Sequence, residues 1–213
     1  MVPALLLLSI GWFMSESQRN KSKSLIILAG GKSRRMGIPK PILLVNQKRL
    51  IDYSIERIKD LFDDVLVVVK ENSQCIEPYI CVYDNFSEYA PIFGLYSGLK
   101  ASKSFLNLFL ACDMPFVKRE LVYFLLEKAE KSDADALVPV VNGYYEPLLA
   151  IYKKSCIEAI EEQIKVGNLK TTGFYPHVKL EAVPEEEIKT FDPELQSFVN
   201  INTKEDLRAH FRD

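Results

Sequence analysis

The chain has 213 residues, 48% of them apolar and 26% charged, with a formal net charge of −2. That length suits one compact α/β domain, or one with a small lobe, and the near-neutral balance lacks the marked basic excess that nucleic-acid binders carry. Cys75, Cys81, Cys112 and Cys156 form no CxxC pair and only His177 and His210 could join them, which argues against a zinc site. Reduced, buried thiols in a cytoplasmic protein are expected.

The opening run MVPALLLLSIGWFM falls short of the roughly 20 residues that span a bilayer. It also has neither a basic start nor a small-residue cleavage site, so no stable membrane association is expected. Two readings stay open: an extension docking on the protein or a partner, or a misplaced start. Met14 opens a polar lead-in, MSESQRNKSKS, which favours the second. Residues 1–23 are therefore set aside as an extension, and residues 24–213 are expected to form a single domain.

Strand-like and helix-like segments alternate from there. SLIILA (24–29) reads as a buried strand, and LIDYSIERIKDLF sets Ile51, Ile55, Ile58 and Phe62 on one helical face. DVLVVVK (64–70) suits a parallel strand covered on both sides. YICVYD (79–84) follows, then a loop to Gly94, near which a helix containing LYSGLKA starts. FLNLFLA (105–111) runs into Cys112-Asp113-Met114-Pro115, and helix 118–131 turns Leu121, Val122, Leu125, Leu126 and Ala129 inward. ADALVPV and YEPLLAIY read as strands and KSCIEAIEEQI as a helix. The stretch from Gly167 to about Phe198 is less regular; a last strand, FVNI, leads to a helix at TKEDLRAHF, where Thr203 and Asp206 have capping-box spacing. The fold class is α/β, a mostly parallel twisted sheet with helices on both faces and an irregular lobe on the acceptor side.

Ligands of such sheets bind beyond the carboxyl ends of the strands, which nominates Gly30, Gly31, Lys70, Asp84 and Asp113. The densest stretch is LAGGKSRRMGIPK (28–40). A Walker loop needs a glycine five positions before Gly31, and Ile26 stands there; a dinucleotide fingerprint fails as well. What remains is a glycine turn whose backbone N–H groups can approach a phosphate. Arg34, Arg35 and Lys40 add cations, and Pro39 and Pro41 limit where the Lys40 ammonium can wander. A solvated basic loop is the plainer alternative.

The motif Leu28-Ala29-Gly30-Gly31-x-Ser33-x-Arg35-Met36-Gly37-x-x-Lys40 resembles the signature of nucleotidyltransferases with a Rossmann-like GT-A fold, and most of all the molybdenum cofactor guanylyltransferases, the MobA family. YDNFSEYAPIFGLYSGL, FLACDMPFV, YYEPLLAIYKKS and FVNINTKEDL match further family blocks in order, so the resemblance runs from about residue 24 to about residue 208. It implies transfer of GMP from Mg²⁺-bound GTP to molybdopterin or molybdenum cofactor with release of pyrophosphate, in the cytoplasm, with proteins that hand over the cofactor as further partners.

By the same resemblance, Leu28, Ala29 and Gly30 hold the nucleoside through main-chain atoms, and Gly31 to Arg35 wrap the triphosphate. Lys40 meets the α-phosphate, Asp84 and Lys70 lie on the nucleotide side, and Asp113 binds Mg²⁺. Asn200 and Asn202 fall at the metal and acceptor side. The family usually has Asp where Pro39 stands, and an Asn that contacts nucleotide in some members is replaced by Lys70. Asp113 could otherwise cap the following helix, and Asn202 could merely stabilise the turn before Thr203. No protein nucleophile is required, since an acceptor phosphate is already ionised. A CTP-dependent relative, or a sugar- or polyol-phosphate nucleotidyltransferase, is the alternative within the chemistry. Outside it stands a nucleotide-binding module without turnover, against which the presence of Arg35, Lys40 and Asp113 speaks.

Overall fold

The structure, a computed structural model, describes residues 22–31 and 39–211. Ten strands are found among them: β1 Lys23–Leu28, β2 Leu44–Val45, β3 Lys48–Arg49, β4 Asp64–Lys70, β5 Ile80–Asp84, β6 Leu106–Ala111, β7 Ala136–Val141, β8 Tyr144–Tyr145, β9 Leu149–Tyr152 and β10 Leu180–Val183. The α-helices are α1 Leu50–Ile58, α2 Pro91–Ala101, α3 Arg119–Lys131, α4 Cys156–Lys165, α5 Glu185–Lys189 and α6 Lys204–His210. The main sheet runs β10-β7-β9-β6-β1-β4-β5, with β8 paired to β7. β1 is central and parallel to both β6 and β4, and β4 is parallel to β5. β9 enters antiparallel between β6 and β7, so the sheet is mixed but mostly parallel.

The period-2 alternation of strand side chains sorts the core into two layers. Leu25, Ile27, Val67, Val69, Leu108 and Leu110 face the layer that contains Ile51, Ile55 and Ile58 of α1 and Leu121, Val122 and Leu125 of α3. Ile26, Leu66, Val68 and Phe109 face Ile92, Leu95 and Leu99 of α2 and Cys156 and Ile160 of α4. The near-continuous apolar strands follow from this double coverage. A third, smaller cluster of Val45, Leu50 and Ile201, joined by Phe116, Leu207 and Phe211, seats the C-terminal helix against the β2–β3 hairpin.

Several sequence expectations shift. α2 starts at Pro91 rather than near Gly94, because proline's fixed φ and missing N–H cost nothing in a first helical turn. FVNI is not a strand. Gln196–Phe198 is a single 3-10 turn held by the Asp192 carboxylate, which accepts from the N–H groups of Gln196 and Ser197. The chain then passes over the end of β6 and is fixed by one bond, Ile201 N–H to the Asp113 carbonyl at 2.8 Å, instead of a ladder. The irregular stretch after Gly167 nevertheless supplies β10, which pairs with the edge of β7.

The thiol expectation also needs correcting. Cys75 and Cys81 are joined by a disulfide, since the loop after β4 folds back and brings Cys75 beside the start of β5. Cys112 and Cys156 are free and buried; burial pushes the Cys156 thiol up to about 12, and the Cys112 thiol higher still. No helix among the described residues is long and apolar enough to cross a membrane.

Candidate active site

The parallel strands β1, β4, β5 and β6 all end at one edge of the sheet, and their last residues meet there. Beyond β1 the chain leaves the ladder through Ala29, whose N–H still donates to the Val68 carbonyl at 2.8 Å. Cys112 N–H donates to the Leu28 carbonyl at 3.2 Å, which ties the exit of β6 to that of β1. A cavity of about 390 Å³ opens at this edge. Leu28, Ala29, Gly30, Gly31, Lys40, Lys70, Asp84 and Asp113 all line it.

A Cβ on Gly31 would meet no atom of the described residues within 4 Å, and one on Gly30 would touch Lys70 at Cγ, 3.8 Å, and at the backbone nitrogen, 3.9 Å. Packing among the described residues does not demand glycine here. What glycine provides is bare backbone on the cavity wall, open to a close ligand. Gly94 has a different use, because its Cβ would stand 3.0 Å from Leu28 Cδ2. With that methyl the Leu28 side chain would have to give by a few tenths of an ångström for the first turn of α2 to lie as it does against the end of β1.

Lys40 opens a short 3-10 turn, Lys40–Ile42, flanked by Pro39 and with Pro41 buried inside it. Two prolines restrict the backbone that carries the ammonium. Lys40 Nζ donates to Asp113 Oδ2 at 2.8 Å and to Asn202 Oδ1 at 2.7 Å. The two charged side chains are 16% and 19% exposed, a half-shielded setting in which a charge-assisted bond is stronger than at an open surface. Residues far apart in sequence, 40, 113 and 202, thus converge on one atom.

At the other end of the cavity a second clasp forms. Lys70 Nζ pairs with Asp84 Oδ2 at 2.9 Å, and both side chains are nearly buried. The same ammonium donates to the carbonyls of Phe86, at 2.9 Å, and Glu88. It also lies 4.8 Å from the centre of the Tyr89 ring. Asp84 Oδ1 accepts from Phe86 N–H at 3.0 Å. A buried ion pair is tolerable only when its remaining hydrogen-bonding capacity is met, and here the loop after β5 meets it. The clasp therefore shapes the cavity wall, to which Tyr89, Ala90 and Pro91 contribute.

Other nominated residues fall elsewhere. Arg35, with Ser33 and Arg34, lies outside the described residues. Asn202 reaches the site through Lys40, whereas the Asn200 amide donates to the nearby Phe198 carbonyl at 3.3 Å. Tyr89 and Leu148 line the cavity without having been singled out by sequence; neither sits in a pattern that separates a wall residue from a packed one.

Among the described residues no group of three or more His, Cys, Asp or Glu side chains could hold a metal by itself. The donors present nonetheless suit Mg²⁺. A carboxylate oxygen of Asp113 and the amide oxygen of Asn202 already converge on one cationic atom. Mg²⁺ is commonly held by one or two carboxylates, with phosphate oxygens and waters completing its shell.

Comparison with known proteins places this geometry among relatives. The profile of the MobA-like NTP transferase domain matches residues 25–173. The molybdenum cofactor guanylyltransferase of Syntrophotalea carbinolica is 34% identical over 188 residues, covering 88% of this chain and 90% of that protein. The one from Desulfosudis oleivorans is 30% identical over 184 residues, covering 85% and 91%. Among solved structures, molybdopterin-guanine dinucleotide biosynthesis protein A from Archaeoglobus fulgidus superposes with a TM-score of 0.76 at 31% identity, covering 87% of this chain and 95% of that one. The 2-C-methyl-D-erythritol 4-phosphate cytidylyltransferase of Thermus thermophilus, at 20% identity and a TM-score of 0.66, shares the fold over 88% of this chain and 96% of its own.

Proposed function

The chain belongs to the MobA-like NTP transferase family, and from that premise we propose that it transfers GMP from GTP to molybdopterin-bound cofactor in the cytoplasm, releasing pyrophosphate. The observation that carries this reading is the convergence of Asp113 and Asn202 on the Lys40 ammonium, with Lys40 and Asp113 lining the cavity at the strand ends. Gly30 and Gly31 line the same cavity.

Nucleotidyl transfer joins two anions, the acceptor phosphate and the α-phosphate of the nucleotide. Two unit charges 4 Å apart interact by roughly 4 kcal/mol at an effective dielectric near 20, so fixed positive charge is the first requirement. Lys40 supplies it on a turn that prolines restrict. Placed against the α-phosphate, its ammonium offsets the charge that builds on the equatorial oxygens. The main chain at Leu28, Ala29, Gly30 and Gly31 offers N–H and carbonyl groups to the nucleotide, and the family resemblance gives Arg35 the departing pyrophosphate. Asp113, helped by Asn202, is the residue to hold Mg²⁺, which when bound neutralises phosphate charge. Asp84 and Lys70 serve the nucleotide indirectly, by holding the wall behind it.

The clean test is transfer with each of the four nucleoside triphosphates, Mg²⁺ and a molybdopterin acceptor, read by mass of the dinucleotide product. GTP is expected to be the preferred donor. Preference for CTP would move the chain to the cytidylyl branch, a reading Pro39 favours; no product with any donor would leave a binding module.

A further inference from the structure

The C-terminal helix begins with a capping box. Asp206 N–H donates to Thr203 Oγ1 at 3.1 Å, and Thr203 N–H donates back to Asp206 Oδ2 at 2.8 Å. Such boxes ordinarily satisfy the orphan N–H groups of a helix start. This one does something more. The same oxygen, Asp206 Oδ2, also accepts from the backbone N–H of Asn202 at 2.7 Å, a residue that lies before the cap. Asn202 in turn presents Oδ1 to Lys40 Nζ at 2.7 Å. One residue earlier, Ile201 N–H is bonded to the Asp113 carbonyl at 2.8 Å, and its side chain is fully buried against Val45 and Leu50. The segment 201–203 is thus pinned from both sides, to β6 by Ile201 and to α6 by Asp206.

We propose that Asp206 is a positioning residue for the transfer reaction: through the backbone of Asn202 it fixes the amide oxygen that aims the Lys40 ammonium into the cavity. The proposal rests on the reading of Lys40 as the cation that acts on the α-phosphate. An ammonium on a four-carbon stem is a movable point charge, and Asp113 and Asn202 both hold it. The bond to Asn202 Oδ1 does not draw on the Asp113 carboxylate. A shift of about 1 Å in a reacting group can cost about a hundredfold in rate, so the geometry of residues 201–206 bears on catalysis although Asp206 is not among the described residues that line the cavity.

A merely structural cap and a positioning residue give different results in a matched pair of variants. Thr203→Ala removes the acceptor of the residue-206 backbone N–H but leaves the Asp206 carboxylate on Asn202; Asp206→Ala keeps that backbone N–H on Thr203 Oγ1 and removes the carboxylate that accepts from the N–H groups of Asn202 and Thr203. Each weakens the helix cap, and thermal unfolding is expected to register similar losses. Turnover is expected to separate them: Asp206→Ala lowers kcat by about 10-fold with GTP Kd changed by less than about 2-fold, while Thr203→Ala stays within about 2-fold of the parent in kcat. In the Asn202→Ala background, adding Asp206→Ala is expected to cost nothing further, because the effect passes through Asn202. Equal kcat losses for Thr203→Ala and Asp206→Ala, or an undiminished further loss in the double variant, would overturn the proposal. Should Asp206→Ala not fold, Asp206→Leu, which also lacks an acceptor oxygen, is read by the same criteria. Lys40→Ala separates the two levels of inference. If it keeps full turnover, the reading of Lys40 fails; if it is inactive while Asp206→Ala runs at the parental rate, only the role of Asp206 fails.

Discussion

Lys40 concentrates the chemistry of the site in one atom. Its ammonium bonds Asp113 and Asn202 at once, so truncation leaves a half-buried carboxylate without that partner as well as a nucleotide without its cation. Because the charge acts mainly where charge develops, Lys40→Ala is expected to lower kcat by about 100-fold or more with GTP affinity changed only a few-fold. Rapid-quench turnover and GTP titration read the two quantities separately; equal loss in both would make Lys40 a binding residue. Lys70 shows the opposite arrangement. Its ammonium is occupied by Asp84 and two backbone carbonyls, so this lysine lines the cavity without adding an unsatisfied charge.

At the scale of elements, helix α2 decides the shape of the cavity. Its N-terminal turn supplies Pro91 and Gly94 to the lining, and its position on the sheet depends on Gly98. A Cβ there would stand 2.8 Å from Ile26 Cγ2 and 3.0 Å from Phe109 Cε1, both fully buried. Gly98→Ala must push the helix off β1 and β6 and is expected to destabilise the fold by about 1–3 kcal/mol, as measured by denaturant unfolding. GTP affinity falls with it if the helix carries Pro91 and Gly94 outward. The sequence placed LYSGLKA in a helix from its apolar spacing, but nothing in that spacing shows Gly98 as the contact point. Close approach depends on what the facing strands carry.

For the whole molecule, the balance of charge on folding sets the pH dependence of stability. Burial raises the Glu146 carboxyl above its ordinary value of 4.5. A group whose folded pKa is raised adds stability fully present below the unfolded value, and that stability is lost as pH rises through the folded value. Glu146→Gln is therefore expected to raise the melting temperature at neutral pH, with the gain vanishing once the pH drops below the ordinary carboxylate range. A gain that persists in acid would point to packing instead of ionisation.

How much of this could be read from the chain differs from place to place. The apolar β-branched runs and the helical spacing of Ile51, Ile55 and Ile58 fix local structure by burial alone, and the rule that ligands lie beyond strand ends turned Gly30, Lys70, Asp84 and Asp113 into one shortlist. Those inferences need only short-range periodicity and a parallel sheet. FVNI failed as a strand because it finds no partner in the sheet, and the Cys75–Cys81 bridge was missed because a loop's return path is not written in composition. Likewise Thr203 and Asp206 were legible as a cap, yet the third bond from Asp206 to Asn202 and onward to Lys40 was not. The sequence by itself determined which groups the protein owns and which segments bury them. Only the tertiary structure decided that residues 40, 113 and 202 share one atom, because such a meeting depends on how distant segments pack over the end of β6, and packing over long separations leaves no periodic trace in the chain.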